Sequence, residues 1–337
     1  MKIGHDYSLL PHNTFHFDVR CRHFVEYDSD DELKQLLDEG TYFEGPWMHI
    51  GRGSNLLFQS DYAGTIFHSA IKGIRLIDEK ESDVFVRVGA GELFDDFIAH
   101  CVSHHWYGAE NLSLIPGEVG SSAVQNIGAY GAEAKDIILS VEAYDVGSHQ
   151  PTVFSTKECG YAYRNSRFKQ EWSGRFIITH VTFRLSKLPT LNVGYGNVKE
   201  ELSRQQLEPT IENVRNVIIA IRRDKLPDPD VTGNAGSFFM NPMIGRRRFE
   251  LLHEAYPDMP YYDVDEDNVK IPAAWMIDRC GWKGQQVGNA GVHSKQALIL
   301  INCGQATGQE VVALSKAIQY SVFQQFGINI EPEVNIV

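Results

Sequence analysis

Several classes of protein are excluded by what this sequence lacks. Its five cysteines, Cys21, Cys101, Cys159, Cys280 and Cys303, lie far apart and include no Cys-x-x-Cys pair. That spacing argues against a disulfide framework and against a cysteine zinc site. The histidines are dispersed without ligand spacing, so no metal is expected. No stretch approaches the run of about 18 apolar residues that crosses a bilayer, and the first residues contain no hydrophobic signal core. A cytoplasmic protein without membrane insertion is the expectation. Cations are in deficit, with 31 Lys and Arg against 44 Asp and Glu and a formal charge of −13. Such a field opposes nucleic-acid binding, so an anionic ligand must be met by local cations. The dinucleotide fingerprint G-x-G-x-x-G is also missing: Leu56 stands where Gly51-x-Gly53 would need its third glycine, and Phe94 does so after Gly89-x-Gly91.

What is present in quantity is ordinary, with 43% hydrophobic and 22% charged residues over 337 positions. That suits two or three soluble domains. The unusual stretch is 115–131, IPGEVGSSAVQNIGAYG, where Ser121-Ser122 and Gln125-Asn126 sit among glycines and Glu118 is the only charge. Glycines permit positive φ and close backbone approach, while hydroxyls, amides and N–H groups hold phosphate oxygens. A tight structural loop is the commoner use of glycine, but the density of paired donors favours a diphosphate cradle. Residues 51–55, Gly-Arg-Gly-Ser-Asn between strand candidates 47–50 and 56–58, read as a second phosphate or ribose loop or as a hairpin turn. In 233–242, GNAGSFFMNP, Ser237 lies among glycines and aromatics. No His-Asp pattern accompanies Ser237, which leaves a proton donor or ligand contact rather than an acyl-transfer nucleophile.

Periodicity predicts a helix capped by Asp30 or Asp31 and closed by Gly40, and others over 92–104, 211–225, 246–256 and 272–280. Thr307 and Glu310 form a capping box for a last helix. Strands are expected at 84–88, 137–146, 151–155, 176–185, 297–302 and 328–337.

Six blocks follow one another in a family's order: GRGSNLLF at 51–58, the 115–131 stretch, YRNSRFK at 163–169, KLPDP at 225–229, GNAGSFFMNP at 233–242 and EPEV at 331–334. Over nearly its whole length the chain resembles the UDP-N-acetylenolpyruvoylglucosamine reductases of bacterial cell-wall synthesis. The resemblance implies an α+β fold with a vanillyl-alcohol-oxidase-type FAD-binding part of two α+β lobes. That part would span 1–226 and be completed by the strand 328–337, with a separate α+β substrate domain at 227–327. It implies FAD as cofactor and NADPH as reductant. The partner is UDP-N-acetylglucosamine enolpyruvate, converted to UDP-N-acetylmuramate by a monomer that binds no nucleic acid.

Matched position by position, the resemblance makes Ser237 the proton donor and gives Arg164 and Glu333 the task of stabilising an enolic intermediate. Flavin contacts would come from Gly51, Arg52, Gly53, Ser54, Asn55, Pro116, Gly117, Gly120, Ser121, Ser122, Gln125, Asn126 and Ile178. Substrate contacts would come from Tyr130, Arg222, Lys225, Asn241, Tyr262, Lys270 and Gln296, and from Tyr195 in the subtype whose tyrosine loop covers the substrate. Two positions depart from many relatives: Asn335 replaces an arginine and Met240 a lysine. A related flavin oxidase and a non-catalytic nucleotide-sugar binder are the competing readings; the oxidase has no evident need for KLPDP with a tyrosine loop upstream or for a serine acid in GNAGSFF, and binding alone would not require Ser237, Arg164 and Glu333 together.

Overall fold

Alternating Val84, Val86 and Val88 turn one face of the strand Asp83–Gly89 inward, as a half-buried strand requires. This strand belongs to an antiparallel five-stranded sheet in the order Gln150–Ser155, Ile138–Asp145, Phe176–Ser186, Asp83–Gly89, Ile74–Glu79. Helix Phe94–Ser103 presents Phe94, Phe97, Ile98 and Cys101 to the same core, joined by Val119 and Ala123 of the short helix Val119–Gln125. The computed structural model describes all residues from 1 to 337.

A second sheet is ordered Lys2–Ser8, Arg20–Tyr27, Tyr62–Ser69, Trp47–Ile50. It buries Val25, Tyr27 and Phe67 against Leu33, Leu36 and Leu37 of helix Asp30–Glu39. Helices Val198–Arg204 and Ile211–Lys225 share a further cluster.

The chain divides into two compact units: 1–7, 21–52 and 63–224 form the first, and 8–20, 53–62 and 225–337 the second. The core of the second unit explains its composition. Phe15, Phe17 and Leu57 lie in one cluster with Phe238, Phe239, Ile271, Met276 and Ile318, and each fully buried side chain of this size contributes about 1.5–3 kcal/mol. Its sheets are a four-stranded one, Asn234–Ser237, Ile299–Asn302, Ala290–Val292, Gln286–Val287, and a three-stranded one, Met243–Gly245, Asn268–Lys270, Tyr262–Asp263.

The division differs from the expected one at 1–226, 227–327 and 328–337. Residues 8–20, 53–62 and 328–337 all fall in the second unit, because their apolar side chains complete its core. Within 328–337 only Asn335–Ile336 is strand, paired in parallel with Leu56–Leu57. The cap of helix Asp30–Glu39 is Ser29, whose hydroxyl accepts the Glu32 N–H at 3.3 Å, rather than either aspartate. Thr307 and Glu310 do form a capping box on helix Gly308–Phe326.

Candidate active site

In the first unit, the turn that follows strand Trp47–Ile50 meets the start of helix Val119–Gln125. A Cβ on Gly51 would lie 2.3 Å from Ser121 Oγ and 3.0 Å from Glu118 Oε2. Only glycine permits this approach. Gly120 repeats the device, since its Cβ would stand 3.0 Å from that of Ala90, and its N–H reaches the Ala90 carbonyl at 2.9 Å. Gly117 holds φ +123 and Pro116 is exposed. Two close loop backbones of small residues with the Ser121 hydroxyl beside them fit a diphosphate-bearing cofactor such as FAD.

The polar residues of this stretch are not equivalent. Ser122 is buried, its hydroxyl donating to the Val119 carbonyl at 2.7 Å and its N–H to Glu118 O at 3.0 Å. Asn126 is buried in the left-handed region at φ 48; its amide donates to Ala162 O at 2.9 Å and Glu133 Oε2 at 3.2 Å, and it accepts from Lys135 N at 3.0 Å. These two therefore serve the loop's own structure, while Ser121 is the member of the serine pair that stands at Gly51. Ile178 lies in the sheet opposite Ala143 with its side chain in the core.

Asn126 also ties down the turn 162–165, where Ala162 and Asn165 bridge and Arg164 adopts φ 54. Arg164 donates from Nη2 to Gly128 O at 2.6 Å, and a Cβ on Gly128 would lie 2.8 Å from its Nη1. Nearby, the Asn111 amide joins the carbonyls of Tyr130 and Asn192 at 2.7 and 2.8 Å. The Tyr195 segment folds onto this point, since a Cβ on Gly131 would meet Tyr195 Cβ at 3.0 Å and one on Gly196 would touch the Tyr130 ring at 3.5 Å.

Arg222 enters from helix Ile211–Lys225. Seven residues earlier, and so on the same helical face, Arg215 grips Asp95 with Nη1 and Nη2 at 2.7 and 2.9 Å. Burial pushes the Asp95 carboxyl up, but Arg215 and the Leu114 N–H outweigh it and hold Asp95 below its ordinary range. The Arg222 Nε is buried and has no hydrogen-bond partner. Burial lowers the guanidinium's pKa, and Tyr130, Asp95 and Arg164 are the groups acting on it. A desolvated cationic donor of this kind is satisfied by an anionic ligand. Tyr130 is itself raised by burial, against the pull of Arg222.

In the second unit, Ser237 ends the strand Asn234–Ser237 at a register shift, with Gly236 at φ +70. The shift leaves Ser237 exposed while Phe238 and Phe239 turn inward, a familiar use of a bulge to re-aim a side chain. The EPEV segment runs alongside: Glu333 N donates to Phe238 O at 2.8 Å, Met240 N donates to Glu331 O at 2.9 Å, and Phe239 bridges Pro332. Ser237 and Glu333 are thus carried on adjacent segments of the chain. The Asn55 amide reaches Glu333 O at 3.2 Å, and Asn335 returns to Asn55 O at 3.3 Å. Asn335 therefore anchors the 53–55 loop. Gly53, at φ +71, has His12 O where a Cβ would stand; Ser54 adjoins it, and Arg52 precedes it on the first unit, exposed.

The remaining predicted contacts lie elsewhere on this unit. Asn241 Oδ1 accepts from Ala273 N at 2.9 Å at the start of helix Ala273–Arg279. Lys270 faces Met243 and Tyr262 across the three-stranded sheet, with Nζ 5.7 Å from the Tyr262 ring. Gln296 is half-buried beside Leu298, and Lys225 is exposed. Sequence reasoning missed His68, Glu26 and Asn111. The lone charge at Glu118 was the available signal for the first two, because His68 Nε2 lies 3.0 Å from Glu118 Oε1 and Nδ1 2.9 Å from Glu26 Oε2.

Residues 228–337 match the family model for the UDP-N-acetylenolpyruvoylglucosamine reductase C-terminal domain, and residues 21–148 match that for an FAD binding domain. A UDP-N-acetylenolpyruvoylglucosamine reductase of Bacteroides fragilis is 55% identical over 98% of this chain and 99% of its own length. One from Chromobacterium violaceum is 44% identical over 97% of each chain. The crystal structure of the Thermus caldophilus enzyme superposes with a TM-score of 0.71 at 22% identity, covering 100% of this chain and 99% of that one. That likeness bears on the fold alone.

Proposed function

Because the chain belongs to the UDP-N-acetylenolpyruvoylglucosamine reductase family, we propose that it reduces the enolpyruvyl ether of UDP-N-acetylglucosamine enolpyruvate to UDP-N-acetylmuramate. NADPH is the reductant, and the product serves peptidoglycan precursor synthesis. Bound FAD supplies the two-electron relay between the nicotinamide and the enolpyruvyl double bond. We take the active species to be a cytoplasmic monomer.

The observation that carries this reading is the pairing of the Ser237 strand with the EPEV segment, which holds an exposed hydroxyl and the Glu333 carboxylate on neighbouring segments. Addition of hydride to the terminal carbon leaves negative charge on the carbon beside the substrate carboxylate, delocalised as an enolate. Ser237 Oγ–H gives its proton to that carbon and recovers one from solvent. A positioned proton donor contributes roughly 10²–10⁴-fold. Arg164, held by its bond to Gly128 O, offers its guanidinium to the enolate, and Glu333 completes the pair. A preorganised cation aimed at developing charge is worth several kcal/mol.

The substrate diphosphate is assigned to Arg222 and Lys225, with Tyr195 folding over it as in the tyrosine-loop subtype. Support comes from the unpartnered Arg222 Nε and from the packing of 195–196 onto 130–131. Asn241, Tyr262, Lys270 and Gln296 are assigned to the rest of the nucleotide sugar. Flavin is assigned to 51–55, Pro116, Gly117, Gly120, Ser121 and Gln125, with Ser122 and Asn126 holding the loop in place and main-chain contact at Ile178.

Anaerobic spectroscopy tests the whole. FAD-loaded protein is expected to bleach with NADPH and to regain its colour only on addition of the enolpyruvyl sugar. Bleaching without recovery would remove the substrate assignment, and protein that takes up no FAD would remove the flavin assignment.

A further inference from the structure

We propose that Glu26, His68 and Glu118 form a hydrogen-bonded relay that positions the cofactor loop and links flavin binding to proton uptake, with His68 as the positioning residue. The proposal rests on the assignment of 116–126 to the flavin diphosphate.

The relay lies wholly within the first unit. His68, on strand Tyr62–Ser69, has one carboxylate on each ring nitrogen: Glu26 at 2.9 Å from Nδ1 and Glu118 at 3.0 Å from Nε2. Neutral imidazole has one N–H, so it can donate to only one of them; the imidazolium donates to both. The side chains of His68 and Glu118 are only 12% and 8% exposed, which keeps water from replacing the bond between them. Phe24 stacks over the ring at a centroid distance of 6.2 Å.

Charged and titratable groups around His68 come from three elements: Glu26 from strand Arg20–Tyr27, His49 from strand Trp47–Ile50, and Glu118 from the loop. Tyr27 lies within electrostatic reach of Glu118. His49 is buried and pushed down to about 3, so it stays neutral and adds no competing charge. Burial by itself would lower the His68 pKa, but the two carboxylates outweigh it and raise it above its ordinary 6.5.

Glu118 transmits this state to the loop. It stands at the N-cap of helix Val119–Gln125, its carbonyl accepts the Ser122 N–H, and its second carboxylate oxygen faces Gly51. A carboxylate here would repel a diphosphate unless a cation sat behind it. Protonated His68 is that cation. Once the proton leaves, one of the two carboxylates loses its donor and Glu118 loses its counter-charge whichever tautomer forms, so binding the cofactor anion favours the protonated state. By linkage the affinity is full on the acid side and falls as pH rises through the His68 value.

The experiment measures the FAD Kd of apoprotein by flavin fluorescence from about pH 6 to about pH 9, and follows the His68 ring by NMR over the same range. Wild type is expected to weaken by about three- to tenfold toward alkaline pH. His68→Gln should give a flat profile at the weaker value, and Glu118→Gln should move the weakening to lower pH. A flat wild-type profile, or an undiminished pH dependence in His68→Gln, would overturn the relay. So would a His68 ring that is neutral at pH 6.5, a result that needs no variant to fold. Wild type that binds no FAD at any pH would bring down the flavin assignment as well, which separates the two failures.

Discussion

The two glycine-rich stretches, 115–131 and 233–242, have similar compositions and opposite uses of their polar groups. In the first, the fold has already engaged Ser122 and Asn126, whose donors and acceptors hold the loop and the adjoining 162–165 turn. In the second, a register shift turns Ser237 outward while Phe238 and Phe239 take the apolar side. Density of donors therefore does not distinguish a ligand contact from scaffolding. What distinguishes them is whether the donor has already been satisfied.

Mutations can break or sharpen this contrast. Ser237→Ala should have the largest effect, slowing reoxidation of reduced flavin by the enolpyruvyl sugar roughly 10²–10⁴-fold while reduction by NADPH keeps its rate in stopped flow. Loss of both half-reactions would mean that Ser237 is scaffolding too. Asn126→Ala should act on stability first, by about 2–4 kcal/mol, since it strands buried partners; chemical denaturation would detect it. An Asn126→Ala protein with unchanged stability and weakened FAD binding would reverse its assignment.

Arg222→Met sits between the extremes. Nucleotide-sugar affinity should fall about 10–100-fold, as expected for a lost charge-assisted bond, whereas thermal stability should hold or rise because an unsatisfied buried donor is removed. A drop in Tm without a change in affinity would make Arg222 structural. The effect that vanishes at neutral pH concerns His49, whose Nε2 meets the Tyr27 hydroxyl at 2.9 Å just before the 51–55 loop. Burial pushes its pKa from the ordinary 6.5 down to about 3 in the folded protein, so the unfolded chain binds the extra proton. Stability is full above 6.5 and declines toward about 3, by about 1.4 kcal/mol per pH unit. In urea titrations His49→Gln should flatten that acid limb, and an unaltered slope would contradict the assignment.

Six helices and four strands of the five-stranded sheet were legible because their apolar residues repeat with a clear period, as in Phe94, Phe97, Ile98 and Cys101, whereas the almost wholly exposed strand Ile74–Glu79 and the short helix Val198–Arg204 were not. Strands Lys2–Ser8 and Arg20–Tyr27 were not, since their sequences are rich in His, Arg and charged residues on exposed positions. Helix Val119–Gln125 was hidden by its glycine and serines, whose helix propensity is poor until packing on Ala90 fixes them. Among site residues, those inside contiguous motifs could be read directly. Glu26 and His68 are 42 positions apart and His68 and Glu118 are 50 apart, so only the strand pairing reveals their meeting.

The chain crosses from one unit to the other five times, contributing 8–20 and 53–62 to a body whose bulk begins at 225. This threading restricts inheritance as well as folding. A segment cut at 225 would leave behind Phe15, Phe17 and Leu57, so the second unit cannot be exchanged between relatives as a cassette. Its core must wait for partners separated by more than half the chain, which makes this unit the later and slower of the two to form during synthesis.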